Sequence, residues 1–170
     1  NNTDAFLVRL NATGDGLQYA TYLGGGSIDK ATGVAADATG GAYLTGSTNS
    51  ADFPTANGFA TTRQGGTDAF VTRINTNASG PASLVYSTYL GGALADAGNA
   101  VTLDSAGRAY VAKHGYKFDD FTPYLYRTDD FGATWTPIVG NLPREPINVV
   151  FEDARNPDLL FVGNDTGVFV

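Results

Sequence analysis

The chain of 170 residues contains no cysteine and no methionine, and it has one histidine and one tryptophan. Without cysteine, neither disulfides nor thiolate metal sites can stabilise the fold, and the cysteine count gives no information about the redox compartment. No apolar run reaches the roughly 18 residues that span a bilayer, so we expect no membrane insertion. Because His114 is the only histidine and no nucleophile motif accompanies it, the sequence offers no catalytic residues of the serine-hydrolase type.

Basic residues are also scarce, since 10 Lys and Arg stand against 17 Asp and Glu, giving a formal net charge of -7. Such a surface repels phosphate backbones, so nucleic acid is not an expected partner. The acidic residues are nearly all aspartate, which together with 22 glycines indicates many tight turns and few helices. A hydrophobic fraction of 42% argues for one folded domain over residues 1–170.

Self-comparison reveals an internal repeat. Three segments recur in the same order: TDAFLVRLN at 3–11 as TDAFVTRIN at 67–75, LQYATYLGG at 17–25 as LVYSTYLGG at 84–92, and GVAADATGGAYLTG at 33–46 as AVTLDSAGRAYVAK at 100–113. Apolar residues alternate with a period of two inside each segment, which predicts strands, and no window shows a helical stripe. Four short strands per repeat predict an all-β fold, a β-propeller segment of four-stranded antiparallel blades.

The predicted strands amount to about three blades, with half-blades at both ends. They are 4–10 and 17–23; then 32–37, 41–46, 68–74 and 84–90; then 99–103, 108–113, 123–128 and 134–139; and finally 147–152 and 159–163, with 166–170 beginning a third strand. Closed propellers have roughly four to eight blades. We therefore expect the chain to be a piece of a longer polypeptide, or copies of it to associate.

Two resemblances follow from these motifs. Residues 3 to about 113 resemble the SBBP family, the seven-bladed β-propeller repeat, which implies a bacterial or archaeal cell-surface setting. From about 121 to 170 the chain resembles the Asp-box (BNR) blades of sialidase-like and sortilin-type propellers, on the pattern S/T-x-D-x-G-x-T-W. The matching positions are Thr128, Asp130, Gly132, Thr134 and Trp135. We interpret this box as structural, a hairpin staple whose tryptophan packs between blades.

The segment HGYKFDDFTPY at 114–124 is interpreted as a connecting loop and is the candidate binding site, through Tyr116, Asp119, Asp120 and Tyr124. Carboxylates beside aromatic rings suit sugar binding, and paired carboxylates serve glycoside hydrolysis. Asp29, Asp96, Asp119 and Asp120 could offer oxygens to Ca²⁺, but no calcium-loop motif is present, so neither a metal site nor a cofactor is predicted.

The sequence favours a non-catalytic extracellular module of a larger surface protein, serving adhesion, carbohydrate or protein binding, or assembly. One alternative is a glycoside-hydrolase-like propeller that uses carboxylates. Another is an arc that self-assembles into closed or filamentous oligomers, so the expected partners are carbohydrate, protein or further copies of the chain. Sequons at Asn1, Asn11, Asn77 and Asn164 leave glycosylation open.

Overall fold

A computed structural model describes residues 2–104, 107–115, 119–130, 132, 134–153, 155–156 and 158–170. These residues form an almost all-β chain with one short 3₁₀ turn at Gly80–Ser83, and no helix among them has the length and hydropathy of a membrane span. The strands are β1 (Ala5–Leu10), β2 (Leu17–Leu23), β3 (Asp29–Ala36), β4 (Gly41–Thr48), β5 (Asp68–Asn75), β6 (Leu84–Leu90), β7 (Ala97–Leu103), β8 (Ala109–Gly115), β9 (Asp120–Thr128), β10 (Thr136–Pro137), β11 (Val149–Glu152), β12 (Leu160–Asn164) and β13 (Gly167–Phe169).

The strands form four antiparallel sheets in chain order. β1 and β2 make an N-terminal hairpin, β3–β6 make blade 1, β7–β10 make blade 2, and β11–β13 make a C-terminal sheet. This arrangement confirms the prediction of a β-propeller segment with two four-stranded blades between partial blades.

Both faces of a blade are buried, as the alternation of its apolar residues requires. In β5, Phe70 and Ile74 pack towards the N-terminal hairpin, in a cluster with Leu7 and Leu23. Val71 points the other way, into a cluster shared with blade 2. Neighbouring sheets therefore share their apolar clusters and stabilise one another.

The first strands of blade 1, blade 2 and the C-terminal sheet lie side by side. The Thr32 hydroxyl of β3 donates to the Gly98 carbonyl of β7 at 2.5 Å. On the other side of β7, the Asn99 side-chain amide donates to the Ile147 carbonyl, just before β11, at 2.8 Å. β3, β7 and β11 thus occupy the inner positions of their sheets, and β6 and β10 lie at the outer edges.

Aspartates hold the turn between the first and second strands of a sheet. One carboxylate oxygen of Asp37 accepts from the backbone N–H groups of Thr39 and Gly41 at 2.8 and 2.7 Å. Asp104 accepts from the Arg108 N–H at 2.7 Å in the same turn of blade 2. These bonds replace water at the turn backbone and fix the hairpin register.

Two predicted boundaries are wrong. Residues 114–124 are not a connecting loop: β8 runs to Gly115 and β9 begins at Asp120, because the ladder continues past a bulge to pair Gly115 with Asp120. His114 likewise lies in β8, opposite Ala97. The last strand of blade 2 is Thr136–Pro137, shorter than 134–139. The Thr134 N–H donates to the Asp130 side chain in the preceding turn and is not part of the ladder, and beyond Pro137 one further bond joins the Ile138 N–H to the Leu125 carbonyl at 2.9 Å.

Candidate functional site

The structure brings two of the four predicted binding residues together. Asp120 begins β9, and its Oδ2 accepts a 2.8 Å hydrogen bond from the Tyr124 hydroxyl four residues on. Asp119 precedes them, exposed and in the left-handed region at φ 58°. Tyr116 lies outside the described residues. The site prediction therefore stays a prediction, with Asp120 and Tyr124 as a hydrogen-bonded pair on one strand.

Hydrogen bonding shifts the pKa of both members of this pair. Bonds from Thr122 and Tyr124, together with the charge of Lys113, lower the pKa of Asp120 despite partial desolvation. The same contact with Asp120, together with burial, raises the pKa of Tyr124. Asp120 is therefore a stable carboxylate at neutral pH and is poorly suited to act as a general acid.

A buried lysine links this pair to blade 1. Lys113 of β8 donates from Nζ to Asp96 Oδ1 at 2.6 Å, and its ammonium lies 4.0 Å from the centroid of the Tyr124 ring. Asp96 also accepts from the Gly92 N–H at 2.7 Å. Such a charge is tolerated in the interior because an opposite charge and an aromatic face replace its lost hydration.

Lys113 lies at the wall of a cleft of about 530 Å³ between blades 1 and 2, which we call the interblade cleft. Three aromatic residues, two glycines, one leucine and one threonine complete the lining; the lining residues are Phe59, Leu90, Gly91, Gly92, Lys113, Tyr126, Thr134 and Trp135. Phe59 comes from the long connection between β4 and β5, which crosses β6 through hydrogen bonds between Ala56 and Ser87. The cleft has the size and mostly apolar lining of a small-ligand site.

The segment from Thr128 to Trp135 contributes Thr134 and Trp135 to the lining of this cleft. Asp130 Oδ1 accepts from the Thr128 hydroxyl and from the Thr134 N–H, at 2.7 and 2.8 Å. The Thr134 hydroxyl donates to Asp130 Oδ2 at 2.6 Å. These bonds, led by those from Thr134, lower the pKa of Asp130 to about 2. Both oxygens of this carboxylate accept hydrogen bonds from residues of its own turn.

The tryptophan at the end of this segment reaches blade 1. Trp135 Nε1 donates to the Tyr86 hydroxyl of β6 at 3.2 Å, and its ring packs against the cluster shared by the two blades. Gly132, at φ +99°, also faces this tyrosine, because a Cβ there would lie 2.9 Å from the ring. The turn therefore positions one aromatic wall of the cleft against the neighbouring sheet.

The lining of the cleft limits the chemistry that it could support. Aromatic faces can pack against the C–H surfaces of a sugar, and backbone groups can hydrogen-bond to its hydroxyls. Glycoside hydrolysis needs two carboxyl groups flanking the bond, and no carboxylate lines the described part of this cleft. Among the residues that the structure describes, no three His, Asp or Glu side chains lie together as a metal site.

The stacked antiparallel blades and their inner strands define the chain as a β-propeller segment. The sequence profile of the SBBP β-propeller repeat matches residues 18–54 and 85–112. Each match runs from the last strand of one sheet into the first two strands of the next, so it covers a junction between blades. No curated protein matches the chain.

Sequence reasoning missed the residues at the centre of the site. Lys113, Phe59 and Tyr126 were not among the predicted binding residues. One signal was present: in the aligned repeats, Lys113 stands where the earlier copy has Gly46. A long charged side chain in place of glycine within a strand indicates a local function or a new ion pair.

Proposed function

We propose that this chain is a non-catalytic, carbohydrate-binding β-propeller module of a larger extracellular protein, and that the interblade cleft is its binding site. One observation carries the proposal: three aromatic side chains and Lys113 line a cleft between the only two four-stranded sheets of the described chain. The acidic surface makes a neutral or basic glycan a better ligand than an anionic one.

Phe59 supplies the ligand platform in this proposal. Its side chain is 56% exposed although it is a large apolar group, and it lines the cleft opposite blade 2. Trp135 and Tyr126 also line the cleft, but both pack against the interblade cluster. Phe59 can therefore be removed with little loss of folding energy, whereas the other two rings serve both the fold and the site.

A glycan array followed by calorimetric titration of the best glycan tests this proposal. We expect Phe59→Ala to weaken binding by about tenfold or more, because the loss of one stacking ring is worth roughly 1.4 kcal/mol. Leu94→Ala is the matched control, since Leu94 is 55% exposed and does not line the cleft. Equal affinity of the two variants would contradict the site, and binding of proteins but of no glycan would contradict the ligand class.

We further propose that residues 121–170 belong to an Asp-box-type blade, in which Thr128, Asp130 and Thr134 stabilise the hairpin and do not contact ligand. The hydrogen bonds within the turn support this role, because they occupy both oxygens of Asp130. Substituting Asp130 should then lower stability without changing glycan affinity at temperatures where the variant is folded.

The proposed location is the outer surface of a bacterial or archaeal cell. The match to the β-propeller repeat family and the glycan binding that we propose for the cleft support it. An antibody against this chain should label intact cells of the source organism, and labelling only after permeabilisation would contradict the location.

A further inference from the structure

A glutamate takes an apolar position in the contact between blade 2 and the C-terminal sheet. Val150 and Glu152 lie two residues apart on β11, so they share one face of the strand. That face packs against blade 2, because Val150 is buried in a cluster with Tyr110 of β8. Glu152 is itself only 7% exposed. Its side chain therefore lies at the interface between the two sheets.

The other first strands carry no charge at this position. An aspartate follows the last residue of β3, β7 and β11, and its N–H closes the next turn in the same way; these aspartates are Asp37, Asp104 and Asp153. The residues before them are therefore equivalent, and they are Ala36, Leu103 and Glu152. Leu103 packs against the apolar cluster between blades 1 and 2. At the same place in the next interface, β11 buries an ionisable group.

The Glu152 carboxyl group lacks the partners that a buried charge requires. Its Oε1 atom is shielded from solvent and has no hydrogen-bond partner among the residues that the structure describes. Arg108 of blade 2 acts on it through its positive charge, but the Arg108 Nε already donates to Asp104. An ionised carboxylate is costly in such a place, whereas the neutral acid loses far less hydration.

We propose that Glu152 makes the contact between blade 2 and the C-terminal sheet sensitive to pH, so that the contact is strongest when this carboxyl group carries a proton. The inference does not depend on the proposed glycan binding. The bound proton lets the side chain stay in the interface as a neutral group. Ionisation favours movement of the carboxylate towards water, which weakens the packing of Val150 on Tyr110.

The groups around Glu152 determine the direction of this pH dependence. Desolvation raises the pKa of Glu152 above its ordinary value of 4.5, and neighbouring carboxylates raise it further. These carboxylates are Asp104 of blade 2 and, in the turn after β11, Asp153 and Asp158. The charge of Arg108 opposes them, and Tyr110 is a neutral neighbour because burial raises its pKa. Since the folded pKa is raised, the stabilisation is complete below about pH 4.5 and is lost as the pH rises through the folded value.

Carbon-13 NMR of the glutamate side chains tests this titration directly, because Glu145 and Glu152 are the only glutamates of the chain. The Glu145→Gln variant assigns the two δ-carbon signals. We expect the Glu152 signal to titrate with a midpoint above 4.5, and we expect Asp104→Asn to lower that midpoint. A wild-type midpoint at or below 4.5 would overturn the proposal, and this measurement needs no variant at position 152.

Hydrogen exchange of backbone amides tests whether the proton acts on the contact. As the pH falls from about 7 towards 4.5, the protection factors of the amides that pair β11 with β12 should rise about threefold or more relative to those of β4 in blade 1. Glu152→Gln keeps the size of the side chain without its charge, so it should remove this pH dependence. It should also unfold at a higher urea concentration than wild type at about pH 7.

Leu103→Gln is the matched control, because it places the same amide at the equivalent position between blades 1 and 2. This variant should keep the pH dependence of the β11 and β12 amides. Protection factors that do not change with pH in wild type would overturn the proposal, and so would a pH dependence that persists in Glu152→Gln.

Discussion

Replacing Lys113 by methionine should destabilise the protein strongly, because it leaves a buried carboxylate without its cation. The side chains of Lys113 and Asp96 are 8% and 7% exposed, and their charged atoms lie 2.6 Å apart. At an effective dielectric constant of about 20, that attraction is on the order of 6 kcal/mol, most of which offsets desolvation of the two groups. Methionine keeps the apolar stem of the lysine but not the ammonium.

The expected loss is about 3–5 kcal/mol, the cost of breaking a buried pair by removing one partner. Loss of the ammonium over the Tyr124 ring adds about 1 kcal/mol. Domains of this size have unfolding free energies of roughly 5–15 kcal/mol, so the variant would be close to unfolding. Urea titration followed by circular dichroism measures the change.

A double-mutant cycle that combines Lys113→Met with Asp96→Asn separates the interaction energy of the ion pair from the effect of each substitution on packing. Each single variant should be destabilised, and the double variant should recover at least about 2 kcal/mol relative to the sum of the two losses. The amide oxygen introduced by Asp96→Asn can still accept from the Gly92 N–H, so the turn at Gly92 is kept. A loss below about 1 kcal/mol for Lys113→Met, or additive losses in the cycle, would refute the reasoning, because the pair would then be hydrated in solution.

Three further outcomes test the Thr128–Trp135 segment. The folded pKa of Asp130 is about 2 and its ordinary value is 3.8, so its ionised form contributes stability that is complete above about pH 4 and is lost as the pH falls towards 2. The difference in unfolding free energy between wild type and Asp130→Asn should therefore shrink over that pH range. A difference that stays constant would contradict this. Gly132→Ala should cost about 1–3 kcal/mol in urea unfolding, from its positive φ and the nearby Tyr86 ring, whereas Gly66→Ala, with open space around it, should be nearly neutral. Trp135→Ala should lower the unfolding free energy by about 3 kcal/mol, and an unchanged thermal midpoint would show that the blades do not pack through this ring.

Much of the fold follows from local patterns that the chain repeats. The recurrence of TDAF and TYLGG places β1, β2, β5 and β6 correctly, because an alternation that buries at least one face of each strand leaves little freedom of register. The hairpin of β8 and β9 was harder to predict. Its ladder continues through a bulge between Lys113 and Gly115. The Asp and Pro residues in 119–123 are typical of loops and so predicted one here.

The site was less predictable, because its contacts join residues far apart in sequence. Lys113 and Asp96 meet only after β7 and β8 pair, and Phe59 reaches the cleft through a long connection whose path depends on β6. The spacing of Asp120 and Tyr124 was a usable signal, since alternate residues of one strand share a face. No local sequence pattern indicated that Asp120 and Tyr124 would lie beside the buried ammonium of Lys113.

The placement of β7 between β3 and β11 is the central claim, because the propeller arrangement and the interblade cleft depend on it. Nuclear Overhauser contacts in the labelled protein test it most directly. We predict contacts from Ala100 to Gly33, whose backbones are close enough for a Cβ on Gly33 to lie 3.3 Å from Ala100 Cα, and from the Asn99 side-chain amide to Ile147, to whose carbonyl it donates. Contacts on only one side of β7, or on neither, would contradict the arrangement.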